Sequence, residues 1–220
     1  MRTISQFING QSVARTGAVT SPVYDPSTGQ VQARLEHGDA AILAEVVAVA
    51  KAAQPAWAAI NPQRRARVMF KFKALIEEHR QELVHLMSSE HGKLLDDSNG
   101  ELQRGLDVVE FVCGVPHLQK GEFTQGAGPG INVYSIREPL GVVAGITPFN
   151  FPAMIPLWML APAIAVGNAF ILNRRSAPLP LPLGSRNSPS KRACRRGSST
   201  SCMVARMSVK RSLIIRTSRP

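Results

Sequence analysis

The chain has 220 residues, a formal net charge of +11 and three cysteines. All 15 acidic residues precede position 173, whereas residues 173–220 hold twelve of the 26 Lys and Arg, so the positive excess belongs to that last segment alone. This split excludes a basic body built for nucleic acid, and cysteines at 113, 194 and 202 form neither a disulfide framework nor a metal-ligand spacing.

Residues 1–172 suffice to bury a sizeable core. Residues 173–220 are rich in Arg, Ser and Pro and lack aromatics, so they cannot bury enough apolar surface to offset their ordering entropy. That segment is expected to be a disordered basic tail. The N-terminal Met-Arg-Thr-Ile-Ser has no apolar core or cleavage site of a signal peptide, which predicts a cytoplasmic protein.

In chain order, Gln-Phe-Ile-Asn-Gly-Gln-Ser-Val (6–13) sets Asn-Gly between two apolar runs, the strongest short-range hairpin signal. Asp-Pro-Ser-Thr-Gly (25–29) marks a second turn, with a strand after it at 31–35. Helical periodicity predicts helices over 39–59, from Pro62 to about 79, over 81–95 and over 96–118. In the fourth, Leu102, Leu106, Val109, Val112 and Cys113 share a face that Arg104 avoids. Residues 121–130 read as loop and 131–137 as an alternating strand.

Residues 140–172 form a run of 33 without a charge, long enough to span a bilayer. Pro148, Pro152, Pro156 and Pro162, with Asn150 and Asn168, divide it into pieces shorter than a span. The run is expected instead to supply a buried strand of a parallel sheet at 141–146 and a covering helix at 156–166, with no membrane as partner.

Thr-Pro-Phe-Asn-Phe-Pro (147–152) stands where that strand ends and the helix begins, the place where open α/β sheets bind ligands. An Asn fixed by prolines and aromatics can aim its amide at a developing oxyanion. The other reading of Asn150 is a cap for the next helix.

Gly-Val-Val-Ala-Gly-Ile-Thr-Pro-Phe-Asn-Phe-Pro (141–152), followed by Gly167-Asn168 and Phe-Ile-Leu (170–172), resembles the aldehyde dehydrogenase superfamily at its first nucleotide-binding strand. The likeness covers about residues 7–172. Arg-Gly-Leu-Asp-Val-Val-Glu (104–110), Tyr-Ser-Ile-Arg-Glu-Pro-Leu-Gly (134–141) and Phe-Pro-Ala-Met-Ile-Pro-Leu-Trp-Met (151–159) resemble its CoA-acylating, methylmalonate-semialdehyde branch. The resemblance implies an incomplete Rossmann-like α/β NAD-binding domain over 1–172, with an N-terminal β-hairpin, helices and strands that serve oligomerisation. It further implies NAD-dependent oxidation of malonate or methylmalonate semialdehyde with CoA as co-substrate, in a homotetramer. By the same resemblance Asn150 is the oxyanion-hole donor, Thr147 and Phe149 line the NAD site, and Arg104 meets a substrate carboxylate as a bidentate guanidinium can. The alternative for Arg104 is an exposed helix arginine.

After Phe-Ile-Leu the family continues Lys-Pro-Ser-Glu-Arg, where this chain has Asn-Arg-Arg-Ser-Ala (173–177). If each original codon began at the third base of the present one, these residues allow CCG-TCG-GAG-CGC, which is Pro-Ser-Glu-Arg. In the same frame residues 197–205 allow Val-Leu-Asn-Val-Val-His-Gly, and 211–220 allow an Asp-His-Ser-Asp-Ile run, both resembling family passages. Residues 173–220 are accordingly expected to be out-of-frame translation, leaving a chain without the family's nucleophilic cysteine and without turnover. Cys202 then has no catalytic role, and Cys113 is a buried helix residue. Two other readings remain: another NAD(P)-dependent aldehyde dehydrogenase, or a binding protein whose basic tail holds nucleic acid or an anionic surface. Charge without interleaved aromatics would give the latter only salt-sensitive, sequence-independent binding.

Overall fold

The structure is a computed structural model that describes residues 2–174 and 201–205. The N-terminal segment forms β1 (Arg2–Ile4), β2 (Gln6–Ile8), β3 (Gln11–Val13), β4 (Thr20–Tyr24) and β5 (Val31–Glu36). Asn9 and Gly10 adopt φ of 51° and 80°, the left-handed pair that a two-residue type I′ turn requires, and Ile8 pairs with Gln11 across it. β4 and β5 pair antiparallel around the turn at 25–29, closed by Gly29 N–H donating to the Asp25 carbonyl at 2.7 Å. With β1 they make a separate sheet, ordered β1-β5-β4.

Four helices follow: α1 (Ala40–Ala58), α2 (Pro62–Glu78), α3 (Arg80–His91) and α4 (Leu95–Cys113). The first two start where their caps place them. The Asp39 carboxylate accepts from Ile42 N–H at 2.8 Å, and the Asn61 side chain accepts from Arg64 N–H at 2.9 Å ahead of Pro62. The fourth helix is shorter than its periodicity suggests. Pro116 has no N–H to continue the ladder, so residues 115–118 become a separate turn, α5 (Val115–Leu118).

The expected loop at 121–130 is instead largely a strand, β6 (Phe123–Gly128), paired antiparallel with β7 (Ile131–Tyr134). Its composition is poor for a strand, but cross-strand pairing overrides that weak preference. The Asn132 side chain helps by accepting from Gly126 N–H at 3.0 Å. The hairpin stands out from the body with Phe123, Ile131, Val133 and Tyr134 exposed.

The charge-free run resolves into β8 (Val142–Thr147), α6 (Met154–Ala165) and β9 (Ala169–Arg174). At 12 residues α6 is too short to cross a bilayer. Among the described residues α1 alone is long and apolar enough to do so, and it lies against a sheet through Ile42, Val46 and Ala50. β8 and β9 pair in parallel with α6 as the crossover, and β10 (Ser201–Ala205) lies antiparallel to β9 and parallel to β2. The resulting sheet, ordered β3-β2-β10-β9-β8, is mixed rather than wholly parallel.

Successive residues of β9 serve opposite layers: Ala169 and Ile171 pack with Ile8 against α1, Phe170 and Leu172 join the core under α2, α4 and α6. Both faces being covered explains the unbroken apolar sequence. β8 departs from the expected buried strand, because it is an edge: Gly145 and Thr147 are buried, whereas Ala144 and Ile146 are exposed. Of residues 173–220, Asn173 and Arg174 complete β9 and 201–205 form β10. The rest of that segment, and with it the expected disorder, lies outside the described residues.

Arg65 ties the helical layer together. Its guanidinium, buried on α2, donates to the Ala165 carbonyl at 2.9 Å, to Ala58 at 3.1 Å, to Ile60, and to the Gln119 side chain at 2.6 Å. The ends of α1, α5 and α6 thereby meet on one side chain. Burial pushes its pKa below the ordinary arginine value, yet a guanidinium stays charged. Arg65→Met would strand these carbonyls and is expected to cost about 2–4 kcal/mol in urea unfolding, with Arg65→Lys recovering less than half.

Candidate functional site

β8 delivers the chain to a turn, 148–153, that runs directly into α6. Thr147 is buried at the strand's last position, Phe149 is half exposed, Asn150 is exposed, and Pro152 and Ala153 are buried. The prolines restrict the turn while the buried Pro152-Ala153 pair anchors its far end.

Asn150 does not cap α6. The helix has no side-chain cap of its own, and its first free amides are met from another helix: Glu101, on α4, accepts from Ala153 N–H at 2.7 Å and Met154 N–H at 3.1 Å. The capping alternative for Asn150 is overturned, and its side-chain amide has no hydrogen-bond partner among the described residues. A carboxylate at a helix N-terminus is favoured by the aligned peptide dipoles, and 1% exposure makes it depend on such partners.

The second oxygen of Glu101 takes the Lys93 ammonium at 2.6 Å. That ammonium also donates to the Asn150 carbonyl at 2.7 Å and stands 4.3 Å from the centre of the Phe151 ring. Lys93 comes from the short connection between α3 and α4. Its own carbonyl accepts from the Ser88 hydroxyl at 2.6 Å, and the neighbouring Gly92 backbone lies against Pro26, where a Cβ would stand 3.3 Å from the proline ring.

Arg104 is exposed on α4, three residues beyond Glu101 and so on the same side of the helix, while its backbone carbonyl accepts from the Trp158 indole at 3.0 Å. The seam between α4 and α6 closes at Gly105, where a Cβ would fall 2.6 Å from Leu157 and 3.4 Å from the Met154 backbone. Thr147, Phe149 and Asn150 thus share one turn, and Glu101 on the helix that carries Arg104 holds the start of α6.

Sequence reading missed Lys93 and Glu101. The available signal was positional: Glu101 lies four residues before Gly105 and eight before Val109, inside the apolar stripe of α4, where an unpaired carboxylate would not be tolerated.

The aldehyde dehydrogenase family model matches residues 13–179. Malonate-semialdehyde dehydrogenase of Pseudomonas aeruginosa is 46% identical over 172 residues, 78% of this chain and 34% of that protein. A Sinorhizobium meliloti protein assigned as methylmalonate-semialdehyde dehydrogenase, solved with NAD, is 57% identical with a TM-score of 0.77 over 79% of this chain and 35% of that one. The methylmalonate-semialdehyde dehydrogenase of Oceanimonas doudoroffii is 46% identical with the same TM-score of 0.77, over 79% and 36% of the two chains. This chain spans about a third of the length of these relatives.

Cys113 is no nucleophile. It is buried at the end of α4 with its thiol donating to the Val109 carbonyl at 3.3 Å, and burial pushes its pKa up. The folded state holds that proton more tightly, so the thiol's contribution to stability is full below the ordinary thiol pKa and is lost as pH rises through the raised folded value. In a Cys194→Ser, Cys202→Ser background, iodoacetamide at neutral pH is expected to label Cys113 only after unfolding. Rapid labelling of the native chain would contradict its burial.

Proposed function

This chain belongs to the aldehyde dehydrogenase family, and we propose that it carries the oxyanion-donor part of an NAD-dependent, CoA-acylating dehydrogenase of malonate or methylmalonate semialdehyde, working in the cytoplasm. The free side-chain amide of Asn150 carries this reading. With Glu101 occupying the end of α6, that amide stands at the end of β8 able to donate an N–H to an aldehyde oxygen as negative charge builds on it. Such a donor is worth about 3–4 kcal/mol of barrier, and only if its orientation is set before reaction.

NAD, when bound, supplies the hydride acceptor. The half-exposed Phe149 ring and the exposed Ile146 and Ala144 on the open face of β8 suit a flat aromatic group, with buried Thr147 beneath the turn. The first amides of α6 are taken by Glu101, so this helix end does not hold the cofactor's phosphates. Arg104 extends a guanidinium from α4 and would receive the substrate's carboxylate through two parallel hydrogen bonds. CoA would take the acyl group once the aldehyde is oxidised.

The exposed β6–β7 hairpin and the segment just after it suit a contact between copies, since Tyr134 and Ile136 are 72% and 69% exposed. We expect a homotetramer in the whole enzyme, and Tyr134→Lys with Ile136→Lys to lower the mass measured by light scattering.

A hybrid tests the chemistry: residues 1–172 of this chain joined to the remaining length of the Sinorhizobium relative. It is expected to form acetyl-CoA, NADH and carbon dioxide from malonate semialdehyde, NAD and CoA. Asn150→Ala in the hybrid should lower kcat about 100- to 1,000-fold with KM little changed. An unchanged kcat would remove Asn150 from the reaction.

A further inference from the structure

Three main-chain groups of the 148–154 segment, the Asn150 carbonyl and the Ala153 and Met154 amides, are held by one ion pair that comes from elsewhere in the fold. Glu101 reaches the two amides, Lys93 reaches the carbonyl, and the pair closes at 2.6 Å. The pairing is reciprocal. A buried carboxylate needs its cation, and the ammonium, with 16% of its side-chain surface exposed, has Glu101, the Asn150 carbonyl and the Phe151 ring around it. Neither residue reaches the Asn150 side chain, which is the part free to meet a ligand.

We propose that Lys93 and Glu101 are positioning residues for Asn150, fixing the turn by its backbone so that the bond from Cα to Cβ of Asn150 leaves the turn in one direction. The inference rests on the reading of Asn150 as the donor for its meaning in catalysis, but the geometry it asserts can be measured without turnover. Glu101 alone would secure the helix end and leave residue 150 free to rotate about its own backbone. The Lys93 bond to the Asn150 carbonyl restrains that backbone freedom, because the carbonyl carbon and Cβ are bonded to the same Cα. Lys93 is itself held by the Ser88 hydroxyl on its carbonyl, so the restraint is anchored outside the turn.

The test uses the full 220-residue chain, labelled with 15N-asparagine for the Asn150 signals, which are assigned by their loss in Asn150→Asp, and uniformly with 15N for amide exchange. Lys93→Met keeps the aliphatic stem and removes the charge. It is expected to move both the backbone and side-chain signals of Asn150 and to speed hydrogen exchange of the Ala153 and Met154 amides by about tenfold or more, as loss of a charge-assisted bond predicts. Exchange in β9, a structural reference, should be unchanged. Lys93→Arg should restore the Asn150 signals, since a guanidinium can span the same two acceptors. Glu101→Gln keeps an acceptor for α6 but turns an amide donor toward the ammonium, and should shift Asn150 in the direction that Lys93→Met does. Asn150 signals that stay in place in both Lys93→Met and Glu101→Gln would overturn the proposal, as would a loss of order spread evenly over β9 and the turn. An inert Asn150→Ala in the hybrid enzyme would remove the oxyanion role and leave this positional result standing.

Discussion

Helix α6 has no charged, hydroxyl or amide side chain anywhere in its sequence, Met-Ile-Pro-Leu-Trp-Met-Leu-Ala-Pro-Ala-Ile-Ala. A helix leaves amides free at one end and carbonyls at the other, and buried polar groups must be paired. Every such group of α6 that is satisfied by a side chain is satisfied from outside the helix. At the start the donors meet the Glu101 carboxylate; at the finish the Ala163, Ile164 and Ala165 carbonyls meet Asn168, Trp57 and Arg65. Negative charge stands at the amide end and positive charge at the carbonyl end, the arrangement the peptide dipoles favour.

From this dependence the arrangement of the layers follows. α4 must lie close enough for a glutamate to reach the first turn of α6, and Gly105 permits that approach. α2 must bring Arg65 to the last turn, and α1 must end nearby, because the same guanidinium also takes the Ala58 carbonyl. Asn168 fastens the exit of α6 to the entrance of β8 by accepting from Gly141 N–H at 3.0 Å. The parallel pair of strands and its crossover helix are thereby locked to three helices that precede them in sequence. Position of the Asn150 turn is a product of tertiary contacts, not of local preference.

Much of the fold was legible because its signals are local. Asn9-Gly10 marked the hairpin, Asp39 and Pro62 marked helix starts, and helix-period apolar spacing marked four helical segments. The break at Pro116 was missed, because the apolar periodicity runs through it. The β6 strand was not readable, since Gly-rich residues pair there only because β7 is opposite. The open face of β8 was likewise hidden, because an apolar run tells that a strand can be covered and not which flank has a neighbour. For the candidate site, the turn itself was readable and its supports were not. Asn150 looks like a cap in sequence since the cap's true owner, Glu101, lies 49 positions earlier and reaches the helix only through packing.

The contact between Pro26 and Gly92 gives a sheet with no chemistry a hold on the chemistry. β1, β4 and β5 form their own small core around Ile4, Val23, Ala33 and Leu35, apart from the rest. Their turn at 25–29 places the Pro26 ring where a side chain at position 92 would stand, one residue before Lys93. Hairpin turns usually drift freely in length over evolution. This one faces a constraint from a distance: a residue gained or lost at 25–29 would move the ring that leaves position 92, already at a left-handed φ of 79°, to glycine.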